Sequence, residues 1–154
     1  MISIKKEDNI FVIGCSSVGA YIGTELSSMG YSVTIIDKSK SALDMLPESY
    51  SGFKSVGDGT DYDFLDREGI RKADIVIIST DDDNVNCYIA QYLKLILNIP
   101  VVITRIYDEE KAIILKESKV KIIYTTKVIA KEFFNTLSDA LIEQEIKEEG
   151  ISKK

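Results

Sequence analysis

A chain of 154 residues with 45% hydrophobic and 29% charged side chains has the length and balance of one folded domain, which sets aside a disordered or membrane-embedded polypeptide. Its formal charge of −6 excludes broad binding to nucleic acid or to an anionic membrane surface, since both require clustered Lys and Arg. There is no histidine anywhere, so the commonest proton carrier near neutral pH and the commonest metal ligand are both missing, which weighs against hydrolytic or dehydrogenase chemistry.

From the start of the chain, Met1 to Asn9 carries Lys5, Lys6, Glu7 and Asp8 and contains no apolar segment of signal-peptide length. No apolar run reaches the roughly 20 residues that cross a bilayer, so a cytoplasmic location without direct membrane insertion is expected. Short, nearly continuous apolar runs then predict strands at Ile10–Ile13, Ser32–Ile36, Phe53–Val56, Ile75–Ser79, Val101–Arg105 and Lys121–Tyr124. Helices are predicted between and after them, at Val18–Met29, Ser41–Leu46, Asp63–Glu68, Asp83–Leu97, Glu109–Glu117 and Val128–Ile146. Gly30 stands where the first helix should stop, Ser39 is placed to cap the second, and Pro100 separates the fourth helix from the fifth strand. Strict alternation of strand and helix implies right-handed crossovers and a Rossmann-like, doubly wound α/β fold with a six-stranded parallel sheet. Residues 1–142 form the expected domain with its last helix, and 143–154 a charged tail expected to fray. Cys15 and Cys87 are the only thiols and belong to no metal or disulfide spacing.

Ile10–Ile13 leads into Gly14-Cys15-Ser16-Ser17-Val18-Gly19, a dinucleotide fingerprint whose middle glycine is replaced by Ser16. Gly14 permits the tight turn, Gly19 permits close packing of helix on strand, and the free amides at the helix start attract phosphate. Ser16 adds a side chain where backbone should approach phosphate, with its hydroxyl as a possible extra donor. Cys15 lies near the positive end of the helix, which can lower a thiol pKa, or it is a small filler. Asp37 follows the second strand, 23 residues beyond Gly14, where a carboxylate accepts hydrogen bonds from ribose hydroxyls and repels a 2′-phosphate. NAD(H) or an adenine nucleotide (ATP, ADP or AMP) is therefore expected, with NADP disfavoured. The plainer alternative is that the glycines shape a turn and Asp37 caps the next segment.

Further along, Val56-Gly57-Asp58-Gly59-Thr60-Asp61, Lys72-Ala73-Asp74 and Ser79-Thr80-Asp81-Asp82-Asp83-Asn84-Val85-Asn86 form a more specific pattern. From about Ile10 to Leu141 the chain resembles the regulator-of-potassium-conductance domain, also called the KTN or TrkA-N domain, of potassium channels and Trk and Ktr transporters. The resemblance implies that Gly14, Ser16 and Gly19 lie under the phosphates, that Asp37 holds the ribose, that Asp58 and Thr60 line the base pocket, and that Thr80 sits across the cleft. Arg105 corresponds to a family arginine that meets a phosphate or a neighbouring subunit; a surface ion pair is its alternative. Neighbours complete the expected cofactor-binding set: Cys15, Ser17 and Val18 in the loop, Lys38 beside Asp37, Gly59 between Asp58 and Thr60, and Asp81 after Thr80.

Structural roles compete for several of these positions. Asp58 can close a turn, Thr60 can cap the helix after it, and the run Asp81-Asp82-Asp83 suits the first turn of a helix better than a metal. Asn86 reads as a structural tie to the loop. Thr126-Lys127 replaces the family's Pro-Glu, which removes the glutamate that would hold a nucleotide or an intersubunit metal; no metal and no catalytic residue is expected. The second ligand-binding lobe that many relatives append after this helix is not expected among these 154 residues.

That last helix carries Ile129, Ala130, Phe133, Phe134, Leu137, Leu141 and Ile142, and the family places it between subunits; a core-packing helix is the alternative. The resemblance implies a regulatory subunit that gates or modulates a potassium transporter or channel from the inner face of the plasma membrane. It would act as a homo-oligomer, a dimer building toward a tetrameric or octameric ring, partnered with a potassium-transporting membrane subunit. The rival reading is an NAD-dependent oxidoreductase domain, which needs a proton-transfer group that no residue pairing here supplies.

Overall fold

The strands form at apolar, mostly β-branched runs, which are covered on both sides in the middle of the sheet and largely exposed at Phe53–Val56. In the computed structural model, which describes residues 5–152, they are β1 (Asn9–Ile13), β2 (Ser32–Asp37), β3 (Phe53–Val56), β4 (Ile75–Ile78), β5 (Val101–Ile106) and β6 (Lys121–Tyr124). Residues 1–4 and 153–154, the outermost parts of the expected domain and tail, lie outside the described residues. The sheet order is β3-β2-β1-β4-β5-β6, with β1 pairing in parallel with β2 and β4, β2 with β3, and β4 with β5. The expected Rossmann-like topology is therefore present. The chain begins in the middle, winds outward to β3 and returns across to β4, so the connections leaving β1 and β4 part in opposite directions and open a crevice at the carboxyl ends of the strands.

Each helix that leaves this edge starts with a side-chain cap. Ser16 caps α1 (Ser17–Ser28), Ser39 caps α2 (Lys40–Asp44), Asp61 caps α3 (Tyr62–Arg67) and Asp82 caps α4 (Asp83–Gln91). The amide-rich ends of these helices thus gather at the crevice. Gly30, at φ 86°, closes α1 through its amide on the Ser27 carbonyl. One core layer packs Ile10, Val12, Val33 and Ile35 of the sheet against Leu26 of α1 and Leu43 of α2. Tyr50 joins it and donates its hydroxyl to the carbonyls of Phe53, at 2.7 Å, and Val33, at 3.2 Å.

Three predicted helices differ in form. The fourth does not run as an α-helix to Leu97; Tyr92–Ile96 widens into a π turn, with the Leu97 amide on the Tyr92 carbonyl. Lys94 donates to the carbonyls of Ile99 and Pro100, and Asn98 takes φ 54°, so the chain reverses within a few residues and the last turn loosens to let it. The fifth is a 3₁₀ segment, Lys111–Leu115. Its buried positions are Ala112, Leu115 and, just beyond, Ser118. Burial every third residue fits a three-residue turn better than a 3.6-residue one.

The third difference concerns the C-terminal helix α5 (Thr125–Ser152), which belongs to a second compact unit beginning at Tyr124. Instead of fraying at Glu143 it continues through the charged segment, where strong helix formers follow one another without Gly or Pro until Gly150 and Gln144 reaches Glu148 one turn on. Val128, Ile129, Phe133, Phe134, Leu137, Leu141, Ile142 and Ile146 along it are all exposed.

Candidate functional site

The glycine loop is the floor of the crevice. Gly14 takes φ 103°, and a Cβ there would lie 2.6 Å from the Thr80 nitrogen, so only glycine lets the β1 exit pass this close to the β4 exit. At Gly19 a Cβ would stand 2.0 Å from the Gly14 carbonyl oxygen, which explains why the helix can begin directly on the turn. The Ser16 hydroxyl, which the sequence suggested as an extra donor to the crevice, is engaged within the protein, and either it or the Ser79 hydroxyl can donate in their pair. Ser16 Oγ accepts the Gly19 amide at 3.2 Å and lies 3.0 Å from Ser79 Oγ, so the side chain serves α1 and β4. The backbone amides of Ser17 and Val18, in the first turn of α1, lie beyond reach of any intrahelical acceptor.

The acid after β2 is preset. Asp37 accepts the Cys15 amide on Oδ2 at 2.7 Å and the Ser39 amide on Oδ1 at 2.8 Å, which fixes both oxygens at the crevice wall with lone pairs to spare. The expected lowering of the Cys15 thiol pKa is corrected here: burial and the nearby Asp37 carboxylate push it up. Its Sγ donates to the Ala42 carbonyl at 3.4 Å. Adjacent to β3, Asp58 Oδ1 accepts both the amide and the hydroxyl of Thr60, at 2.9 and 2.7 Å, and these bonds hold its carboxyl below the usual carboxylate range. The turn reading of Asp58 is present, whereas the cap of α3 is Asp61, not Thr60.

Across the crevice, three consecutive aspartates have three separate tasks. Asp81 pairs with the Arg105 guanidinium. Asp82 caps α4 through the amides of Asn84 and Val85. Asp83 is buried and accepts the amides of Tyr107 and Asp108 at 3.0 and 2.9 Å. Among the described residues no group of three or more His, Cys, Asp or Glu is arranged to hold a metal. Asn86, fully buried, accepts the Thr80 amide and hydroxyl and donates to the carbonyls of Thr80 and Arg105, which makes it the tie anticipated. Arg105 is no surface ion pair, since its side chain is 8% exposed against 84% for Asp81. Its Nε donates to the Thr80 carbonyl and its Nη1 to the Tyr107 hydroxyl.

Together these segments enclose about 530 Å³. Gly14, Cys15 and Ser16 line it from β1, Asp37 and Lys38 from β2, Asp58, Gly59 and Thr60 from the β3 exit, and Thr80 and Asp81 from the β4 exit. Ser17, Val18, Gly19 and Arg105 do not line it; Ser17 and Val18 are exposed in the first turn of α1, and Gly19 and Arg105 are buried. Sequence reasoning did not include Ile13, Ile36, Ala42, Val85 and Ile89, the apolar part of the lining, nor Ser39, Gly57 and Asp82. Val85 and Ile89 are four residues apart on α4, a spacing that could have marked one helix face turned to the cleft.

The chain matches the model of the TrkA-N domain family over residues 10–126. It is 26% identical over 129 residues to the Trk system potassium uptake protein TrkA of Streptomyces coelicolor, covering 84% of this chain and 58% of the relative's length. The chain thus spans little more than half of that relative. Among solved structures, the GsuK channel bound to NAD aligns with a TM-score of 0.75 at 22% identity, covering 88% of this chain and 24% of the channel. The Kef C-terminal domain of Shewanella denitrificans in AMP-bound form aligns with a TM-score of 0.64 at 22% identity, covering 84% and 82%.

Proposed function

The chain belongs to the TrkA-N domain family, and from that footing we propose that it is a nucleotide-binding regulatory domain that modulates a potassium transporter or channel. The observation that carries the binding half is the Asp37 carboxylate, held by two backbone amides beside the opening turn of α1. That arrangement suits a ribose on Asp37 and phosphates over the turn at Gly14–Ser16, with Ser17, Val18 and Gly19 contributing the helix end beneath them. Asp58, Gly59 and Thr60, together with Ile89, suit the base. Arg105 acts from behind, by setting Thr80 and Asp81.

The ligand is NAD(H) or an adenine nucleotide, AMP, ADP or ATP. Asp37 disfavours NADP, because a 2′-phosphate would meet a carboxylate already fixed in place. Chemistry is not part of the reading. The crevice lining holds hydroxyls, a protonated thiol, the Lys38 amine, and carboxylates engaged by amides or, at Asp81, by the Arg105 guanidinium, and we read no nucleophile paired with a base among them.

The working domain comprises residues 1–142, with 143–154 as a charged tail into which α5 continues as far as Ser152. The exposed apolar stripe of α5 suits a second copy of the chain, and the homo-oligomer, a dimer or a ring built from dimers, would sit at the cytoplasmic face of the membrane through a potassium-transporting partner. A nucleotide that fits one relative orientation of paired domains better than another would shift the assembly by that difference in affinity alone.

Calorimetric titration with NAD, NADH, ATP, ADP and AMP tests the binding half. At least one should bind, and Asp37→Ala should weaken it by about tenfold or more, as expected for the loss of a charge-assisted pair of bonds. No binding by any of them removes the reading, and turnover of a nicotinamide cofactor would replace it with the oxidoreductase. Copurification with a potassium-transporting membrane subunit tests the regulatory half.

A further inference from the structure

A second hollow, of about 310 Å³, lies at the opposite edge of the sheet from the crevice, where β1, β2 and β3 begin. Its floor is the row Phe11, Thr34 and Phe53, which are partners across three parallel strands. The α1 and α2 layer packs on Ile10, Val12, Val33 and Ile35, so this row belongs to the other face. Phe11 is 7% exposed and Phe53 70%, and the floor therefore passes from sheet interior to open solvent. Glu68, Gly69 and Lys72 form the rim. Gly69 takes φ 83° and separates α3 from the 3₁₀ turn Ile70–Lys72, so Glu68 and Lys72 do not stand one turn apart on a continuous helix. They do not pair with each other. Among the described residues, neither of these side chains, nor the hydroxyls of Ser32 and Thr34 beside them, has a hydrogen-bond or ion-pair partner within the protein. Arg71, between them in sequence, is held by Asp66 at 2.8 Å.

These groups set the chemistry of an occupant. An inorganic anion would meet Lys72 but also the Glu68 carboxylate, and a metal ion would meet the reverse. A neutral apolar molecule would cover the phenyl rings while taking water from two charges and giving neither a partner. A zwitterion answers both, with an ammonium for Glu68 and a carboxylate for Lys72, and the Ser32 and Thr34 hydroxyls can share its remaining hydrogen bonds. The aromatic floor favours an apolar group on the same molecule. The volume stands at the small end of ligand sites, which run from roughly 300 to 1,000 Å³, and so suits a single amino acid better than a peptide.

We propose that this hollow is a second binding site, separate from the crevice, for a free α-amino acid with an apolar side chain. Its ammonium faces Glu68, its carboxylate faces Lys72, and its side chain covers Phe53 where the ring leaves the sheet. Nothing in this assignment depends on the nucleotide reading. Lys72 is exposed and Glu68 half-buried, so each ion pair contributes modestly, on the order of fivefold in affinity, and binding in the millimolar range is expected.

The test is a titration of the isotope-labelled full chain with L-leucine and L-phenylalanine, followed by amide chemical shifts, at slightly acidic pH where the amines are charged. Saturable shifts at the amides of Phe53, Gly69 and Lys72, with those of Gly14 and Asp37 unmoved, are the expected result. N-acetyl-L-leucine, which lacks the cation, and L-leucinamide, which lacks the anion, should each bind about fivefold more weakly than L-leucine. Glu68→Gln should erase the difference between L-leucine and its N-acetyl form, and Lys72→Gln the difference between L-leucine and its amide. Both substitutions are at side chains that solvent already reaches, so the fold should survive them. Absence of shifts at the Phe53, Gly69 and Lys72 amides with either amino acid would overturn the proposal. Equal binding of the free, acetylated and amidated forms would overturn it too, by showing a plain apolar groove. Shifts confined to Gly14 and Asp37 would overturn it by placing the amino acid in the crevice.

Discussion

At the scale of single residues, the site is governed by backbone amides and the acceptors that claim them. Asp37 takes the amides of Cys15 and Ser39, so the loop and the second strand cannot move independently, and Cys15 is caught between them. Its thiol is the most direct probe of the crevice. Burial, and after it the Asp37 carboxylate, raises the thiol pKa in the folded chain. The neutral protonated form is therefore the one that folding favours: its contribution to stability is present below the ordinary thiol pKa and is lost as pH rises through the raised one. Alkylation of Cys15 by iodoacetamide should accordingly be slow at neutral pH and keep accelerating with pH beyond the range where an unfolded thiol has levelled off. A nucleotide in the crevice should slow it further, because Cys15 lines that space. Peptide mapping by mass spectrometry scores it apart from Cys87. Fast alkylation at neutral pH would mean that the helix end, not burial, controls the thiol.

At the scale of elements, what could be read from the sequence follows the range of the interactions involved. The central parallel strands were legible because Ile and Val runs report burial on both faces, and the cap of α2 because Ser39 in its local pattern already specifies a helix start, whereas Thr60 was read as the cap of α3 in place of Asp61. The Gly14–Gly19 loop and Asp37 were legible for the same reason, since their spacing encodes a turn. Less legible were features set at long range. Arg105 reaches back 24 residues to Asp81, and nothing local says that its guanidinium will be buried. Ser16 turns to Ser79, 63 residues away, which only the pairing of β1 with β4 brings near. The 3₁₀ segment depended on which residues the sheet would cover. For α5 the sequence showed the apolar stripe and the structure leaves it exposed. That separates two roles by a measurement. The buried apolar core ends at Val120, so Phe133→Ser with Phe134→Ser should change the unfolding free energy of the crevice-bearing unit by no more than about 1 kcal/mol, as surface substitutions do. The same pair should shift the sedimenting species toward monomer. A large loss of stability with unchanged mass would make α5 a packing element instead of an interface.

At the scale of the whole molecule, the question is how a ligand in one crevice could be felt by a membrane partner, and thermodynamics limits the answers. The crevice lies in the unit that ends at Ile123, and the exposed stripe lies in the unit that begins at Tyr124. If nucleotide binding alters assembly, assembly must alter nucleotide binding by the same factor. The coupling can therefore be measured without the membrane partner. Apparent affinity for the best nucleotide should depend on protein concentration, differing by about tenfold between dilute and concentrated samples if coupling is of the usual size, near 1.4 kcal/mol. The Phe133→Ser, Phe134→Ser variant should bind with one affinity at every concentration, equal to that of the dilute unaltered chain. The direction carries information as well: tighter binding when concentrated means that the ligand promotes assembly, and weaker binding means that it opposes it. If the unaltered chain assembles yet shows a single affinity across the range, the ligand does not distinguish the assembled state from the free one. Regulation would then have to act through the orientation of subunits within an assembly of constant size, because a ligand with equal affinity for two states shifts neither.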